Sequence, residues 1–239
     1  MKLAIAIRIS GERTTDACLY YVRKYAPAGT PIAVINRAPF VAALRASYEA
    51  GIDAGADYLM TVDADVILLP NAIDTFLRDA EQRPKLVERH ASCHCALMQT
   101  PRHVGPRLYL GRHLSALRDN IRANRLRPES ETLKPYRARK QCAAIDAVVG
   151  LHDFGQWRRD LYRKGALYAK KNGPLPNPVD HPNYDAFYQG AADHKRYSVV
   201  DLLNRETWPD CDIPEREPML PPYDAAVAQW LDAKVDTQC

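Results

Sequence analysis

The sequence predicts an α/β fold with a mostly parallel central sheet flanked by helices, and three observations carry that reading. Short apolar, β-branched runs occupy residues 2–9, 31–35 and 58–62. Between them, apolar side chains recur at helical spacing, as in Phe40, Val41, Leu44, Tyr48 and Ile52. Turn residues punctuate the changeovers, with Ser10-Gly11, Pro27 and Gly29 closing the first strand and the first helix. Strands separated by helical patterns of roughly 10–15 residues imply βαβ units.

Taken in order, residues 2–9 form a first strand, and Thr14 or Thr15 starts a helix that runs to Tyr25. Residues 31–35 read as a short buried strand and Phe40 to Ile52 as the next helix. Tyr58-Leu59-Met60-Thr61-Val62 is strand-like, and Asp63 follows it directly. After Pro70-Asn71 a helix is expected to Glu81, then a strand over residues 90–98. Leu110, Leu114, Leu117 and Ile121 mark an arginine-studded helix. Residues 143–149 make another strand, ending in Gly150-Leu151-His152-Asp153, and an amphipathic helix opens there and ends near Asn172-Gly173. Prolines are frequent from Pro174 onward. The expected organisation is therefore one α/β unit over residues 1–173. A helical and irregular extension, residues 174–239, packs on the same domain.

Composition narrows the class. Of 239 residues, 46% are apolar and 26% charged, ordinary for a folded globular chain. No window approaches the roughly 20 apolar residues of a membrane-spanning helix. The N-terminus reads as a strand rather than a secretory signal, so a cytoplasmic location is the default expectation. Six cysteines without framework spacing agree with it. Charge is uneven: between Pro101 and Lys140 stand nine Arg and two Lys against three acidic residues. That excess points to an anionic partner, a diphosphate, an acidic acceptor or a lipid headgroup. Tyr109 and Tyr136 do not interleave with it as single-strand nucleic-acid binding requires, so no nucleic-acid partner is expected.

Asp63-Ala64-Asp65 is the most informative triplet. In open α/β sheets ligands gather beyond the carboxyl ends of the strands, where this triplet falls. Two carboxylates one residue apart on a turn can converge on a hard cation such as Mg²⁺ or Mn²⁺. The plainer alternative is a pair that merely caps the turn. The context, Ala54-Gly55-Ala56-Asp57 and the strand before the triplet, then Leu69-Pro70-Asn71-Ala72, resembles the metal-site segment of GT-A-fold nucleotide-sugar glycosyltransferases of the family 2 type. The resemblance spans roughly residues 2–171, and this motif is its one specific element. It implies a sugar transfer from a nucleotide-diphosphate sugar (UDP first, GDP second) to a hydroxyl on a glycan or lipid-linked acceptor, in surface glycan assembly, with Mn²⁺ or Mg²⁺. Asp65 would bind the metal, and Asp63 would share it or contact the ribose. Ser10, Gly11 and Asn36 would line the nucleotide pocket. The sequence departs from the family where Arg8-Ile9-Ser10 replaces a proline-containing turn and where Asn36 replaces a base-reading aspartate. Arg45 is a phosphate contact or part of a solvated helix face.

His152-Asp153, at a strand end before a helix, is the second constellation. By the resemblance Asp153 would be the general base and His152 a further metal ligand. Their alternatives are a helix N-cap and an ordinary surface histidine. Arg159 or Arg163 would lie near the diphosphate. His90, Cys93, His94 and Cys95 do not have zinc spacing, and strand alternation sends His94 away from the two cysteines. The arginine-rich segment, residues 102–140, is expected to form an arm over the acceptor side or a peripheral membrane contact at the inner face. Two other functions fit the triplet. One is a haloacid-dehalogenase-like phosphohydrolase with Asp63 as nucleophile, although the chain has no Gly-Asp dipeptide. The other is a non-catalytic sugar-nucleotide-binding module.

Overall fold

The computed structural model describes residues 1–98, 100–122, 125, 127–173, 184–198 and 202. The expected extension over residues 174–239 lies outside the described residues except for 184–198 and 202. The first half follows the expected alternation: β1 (Leu3–Arg8), α1 (Thr15–Tyr25), β2 (Ile32–Ile35), α2 (Phe40–Asp53) and β3 (Tyr58–Asp63). Then come β4 (Val66–Leu68), α3 (Ala72–Gln82), β5 (Glu88–Cys95), β6 (Thr100–Arg102) and β7 (Arg107–Leu110). The chain continues through a 3-10 turn to α4 (Leu114–Asp119), α5 (Pro128–Ala138), β8 (Cys142–His152), α6 (Arg158–Asn172) and α7 (Tyr184–Ala192).

The strands form one sheet in the order β2-β1-β3-β7-β5-β8-β4, with β6 paired to β5. The α/β class is as expected, but the sheet is mixed. β1 runs parallel to β2 and β3, and β5 parallel to β8, whereas β7 is antiparallel to both of its neighbours. The reason lies in residues 107–110. Leu110 was expected to begin an arginine-studded helix, and instead it closes a strand, Arg107-Leu108-Tyr109-Leu110, between β3 and β5. Leu114 and Leu117 keep the helical spacing only over the short α4. The arm expected over residues 102–140 is thus largely part of the fold, with Arg107 inside it.

β1 shows why the core has two sides. All six of its residues are buried. Leu3, Ile5 and Ile7 pack with Val22, Met60, Val62, Leu68 and Phe76, beneath α1 and α3. The alternate residues Ala4 and Ala6 meet Leu44, Tyr48, Leu59 and Tyr109, beneath α2. Small side chains on that second face leave room for the two tyrosine rings, which meet edge to face at 5.3 Å.

α7 docks on α6 through two glycines. A Cβ at Gly165 would stand 1.9 Å from the Phe187 carbonyl oxygen, and one at Gly190 would stand 1.8 Å from that of Tyr162. The helices therefore touch backbone to backbone, and Phe187 is buried at the contact. Gly165→Ala and Gly190→Ala should each destabilise the chain by about 1–3 kcal/mol, the usual cost of overpacking. Urea unfolding midpoints check this, together with faster amide exchange across 184–192. Unchanged midpoints would mean that the helices do not meet this closely.

Candidate active site

The Asp63-Ala64-Asp65 turn is held through its own backbone groups. Asp63 ends β3 opposite Arg8 of β1. Ala64, fully buried, donates its N–H to the Arg8 carbonyl at 3.0 Å, and its own carbonyl accepts the Thr14 hydroxyl at 2.7 Å. The Asp65 carbonyl accepts the Asp153 N–H at 3.1 Å. The chain then enters β4, which pairs antiparallel with the end of β8 so that Val66 faces His152. This three-residue strand brings the two acidic constellations together, although they lie far apart in sequence.

The side chains around the turn form two ion networks. In the first, Arg8 Nε donates to Asp63 Oδ1 at 2.6 Å, and Arg8 Nη1 donates to Glu129 Oε1 at 3.0 Å. Arg107 Nε approaches Glu129 Oε2 at 3.0 Å and Nη1 pairs with Glu88, while the Tyr109 hydroxyl donates to Glu129 Oε1 at 2.7 Å. Burial alone would raise the Glu129 carboxyl, but Arg8 and Arg107 outweigh it and hold it at about 2. In the second network, Lys164 Nζ of α6 donates to Asp65 Oδ2 at 2.7 Å and to Asp153 Oδ1. His152 Nε2 stands 3.6 Å from Asp65 Oδ2, and its Nδ1 stands 2.9 Å from Asp153 Oδ2. Burial disfavours the imidazolium, yet Asp153 and Asp65 lift His152 to about 10. Burial likewise opposes ionisation of both carboxyls, and Lys164 and His152 more than offset it, holding them below the ordinary range.

Both networks face one cleft of about 510 Å³. Ser10, Arg37, Ala38, Phe40, Asp63, Asp65, Glu129, His152, Asp153, Arg163, Lys164 and Lys171 are among its lining residues. Asp63, Asp65, His152 and Asp153 are thus gathered as the sequence suggested. Ser10 lines the cleft too, with its N–H and hydroxyl both on the Glu12 carboxylate. Gly11, at φ 86°, is not among the lining residues, and its carbonyl accepts from Arg159 Nη2 at 3.5 Å.

Three further expectations are corrected. Asn36 is exposed beyond β2 and does not line the cleft, whereas the neighbouring Arg37 and Ala38 do. Arg45 is exposed on α2, its charge acting on Asp119, so it belongs to the solvated helix face. Asp153 does not open a helix. It sits in a turn at φ 62°, and α6 begins at Arg158. With one oxygen held by Lys164 and the other 3.6 Å from the Cys95 thiol, Asp153 is as placed a counter-ion rather than a ready base.

Two groups relevant to a cation escape a sequence reading. Lys164 is one; its partner Asp65 is 99 positions away. Cys95 is the other: its sulfur, His152 and Asp153 lie with ligand atoms within 4.8 Å of one another. Among the described residues nothing gathers His90, Cys93 and His94 with them into a zinc set. The residues fit a hard divalent ion. Asp65 Oδ1 is buried without a hydrogen-bond partner, and an imidazole nitrogen lies near the same carboxylate. Lys164 now holds the other oxygen.

No family model matches the chain, and no curated protein matches it. Among solved structures it is similar to a glycosyltransferase involved in glycosylation of the major capsid of PBCV-1 (13% identity, TM-score 0.46, 64% of this chain and 93% of that one). It is similar also to S. aureus TarS 1-349 (10%, 0.46, 83% and 73%). A third likeness is to CMP:2-keto-3-deoxy-manno-octonic acid synthetase complexed with CTP (12%, 0.42, 63% and 91%). At such identities and scores the chemistry must be read from the site itself.

Glu129→Gln should destabilise the chain by about 3–5 kcal/mol, because it strips two buried guanidinium groups of their shared anion. The folded-state pKa of Glu129 lies below the ordinary 4.5, so its contribution is present above that pH and fades as pH falls towards 2. Urea titrations across this range should show the gap between wild type and variant closing on acidification. A gap that stays constant would exclude Glu129 as the ionised centre of the network.

Proposed function

We propose that the chain transfers a sugar from a nucleotide-diphosphate sugar to a hydroxyl acceptor, with the donor diphosphate seated over Asp65 and Lys164. The observation that carries the reading is the buried, unpartnered Oδ1 of Asp65, set beside His152 at the strand ends in a cleft that Lys164 also enters. Asp65 and His152 would hold Mn²⁺ or Mg²⁺, with Asp63 beside them. The ion would supply positive charge against the departing diphosphate. Arg8 keeps Asp63 in place, and its guanidinium lies over the Phe40 ring at 5.0 Å.

Lys164 has a second task in this reading. Its ammonium is a mobile point charge on a flexible stem, and phosphate oxygens compete well for it. A donor that draws Lys164 towards its diphosphate frees an oxygen of Asp153, which can then accept the proton of the acceptor hydroxyl. Donor binding and availability of the base become one event. Arg37, rather than Asn36, stands where the nucleoside would enter. UDP or GDP as nucleotide, and a glycan or lipid-linked acceptor, complete the proposal. So does a cytoplasmic setting; among the described residues no helix is long and apolar enough to cross a membrane.

The phosphohydrolase with Asp63 as nucleophile is a second reading, and a lysine between two acidic loops favours it. Against it, Arg8 already occupies an oxygen of Asp63 at 2.6 Å. Beryllofluoride trapping separates the two, since only the hydrolase would form the adduct on Asp63.

Isothermal titration with UDP and GDP should show binding that depends on Mn²⁺ and weakens at least about tenfold in Asp65→Asn, as loss of a metal-site group does. Equal binding by both proteins removes the donor site. Lys164→Met should do the opposite to the bare ion. With the ammonium gone, Asp65 and Asp153 keep only His152 as a cation, and Mn²⁺ without nucleotide should bind about tenfold more tightly, some 1.4 kcal/mol. Electron paramagnetic resonance of free Mn²⁺ reads this directly. An unchanged or weaker affinity would show that Lys164 and the ion do not share carboxylates.

A further inference from the structure

The proposed donor site uses one end of the cleft. The acidic groups lining that end each have a partner: Arg8 for Asp63 and Glu129, Lys164 for Asp65 and Asp153, Ser10 for Glu12. The other end differs in charge. α6 presents Arg163, Lys164, Leu167, Tyr168 and Lys171 to the cleft, the spacing of a single helix face. Lys171 is two turns beyond Lys164, about 10 Å along the helix axis.

Arg127, from the chain entering α5, lines the same cleft. Its Nη2 donates to the neutral Asn172 Oδ1 at 2.9 Å. Arg163 adds a third cation, with Nη1 donating to the Leu202 carbonyl at 3.4 Å. Among the described residues no carboxylate pairs with Lys171 or Arg127. The neighbours that act on the Lys171 charge are Arg127 and Arg163. Burial and these two like charges push its ammonium down to about 8. A lysine in the last turn of a helix ordinarily serves the helix dipole from solvent. Here it is turned into a partly closed cleft beside two guanidinium groups, of which Arg163 also faces the Asp160 carboxylate, and the excess positive charge favours an anion.

We propose that Arg127, Arg163 and Lys171 form a second phosphate-binding site, separate from the donor diphosphate, which takes a phosphate group carried by the acceptor. That the ligand belongs to an acceptor rests on the function proposed above, whereas the phosphate site itself does not. The length of α6 between Lys164 and Lys171 is the reason for two sites: one diphosphate held at Asp65 and Lys164 leaves Lys171 and Arg127 without a carboxylate or phosphate partner among the described residues. A phosphate there also fixes the acceptor at a set distance from the reacting end of the cleft.

Isothermal titration of the full chain with inorganic phosphate tests this, first alone and then with a saturating nucleoside diphosphate and Mn²⁺. The expected result is phosphate binding that survives the diphosphate. Lys171→Met and Arg127→Gln should each weaken phosphate at least about tenfold, the loss of a charge-assisted contact, while diphosphate affinity changes less than about twofold. Both changes are near the surface and leave the two ion networks intact. Phosphate displaced one-for-one by the diphosphate, or variants that weaken the diphosphate equally, would assign the cluster to the donor and overturn the proposal. So would undiminished phosphate binding in both variants, or none to wild type. Should no nucleotide bind at all, the phosphate titration alone still decides the site, so the two readings fail separately.

Discussion

The cleft depends on Arg8. This side chain, only 4% exposed, reaches from the first strand of the sheet to Asp63 on one side and Glu129 on the other. Glu129 lies 121 positions away, in the first turn of α5. One guanidinium therefore ties the tip of β3 to a helix that Arg107 and the Tyr109 hydroxyl also hold through Glu129. A buried arginine is expensive to desolvate, and the geometry offsets that cost with two carboxylates and a ring face. With Arg107 bridging Glu129 to Glu88, the network continues into the middle of the sheet. The reacting end of the cleft is thereby fixed relative to β7 as well as β1.

The second network uses a different cation for a different purpose. Arg8 is planar, always charged and forked, and suits a permanent bridge. Lys164 is a point charge at the end of four rotatable carbons and suits an exchangeable one. Both span two acidic groups. Only the second lies where a diphosphate would enter, and of the two networks it alone holds, among the described residues, a buried carboxylate oxygen without a hydrogen-bond partner, Asp65 Oδ1. The rigid pair positions the site and the exchangeable pair leaves chemistry for it to do. That division follows from side-chain type more than from distance, since both cations sit within 3 Å of their aspartates.

What could be read from the sequence follows from how local each signal is. β3 and the triplet after it were legible because a strand buried on both faces shows as an unbroken apolar run, and charge marks its end. The helix spans α1 and α2 were legible from their spacing. β4 has three residues, too few for any periodicity, yet it brings His152 to Asp65. At residues 107–121 the leucine spacing is helical although its first member, Leu110, closes a strand, so tertiary pairing overrode the pattern. Lys164 could be placed on α6 but not assigned, because its meaning comes from partners on β8 and on the turn after β3. Arg159 or Arg163 was singled out in its stead, the latter one residue away and also lining the cleft. Asp153 misled for a related reason: an aspartate after a strand resembles a helix cap, and only the backbone at φ 62° reveals a turn.

The identity of a bound ion follows from the same arrangement. Cys95 offers sulfur beside His152 and Asp153, a set that taken alone suits a soft ion such as zinc. Asp65 shifts the balance. Its unpartnered oxygen and the Asp153 carboxylate are hard donors, and the thiol is already turned towards Asp153 Oδ2 at 3.6 Å. An ion gathered by Asp65 and His152 must displace Lys164 and release the His152 proton, trading two single positive charges for one double charge where two carboxylates face a cleft. That exchange becomes favourable when a diphosphate arrives to take the released ammonium, because the added negative charge is then matched by the ion and by Lys164 together. Ion and nucleotide should accordingly bind as a pair, each raising the affinity for the other, and the lysine is the group that couples them.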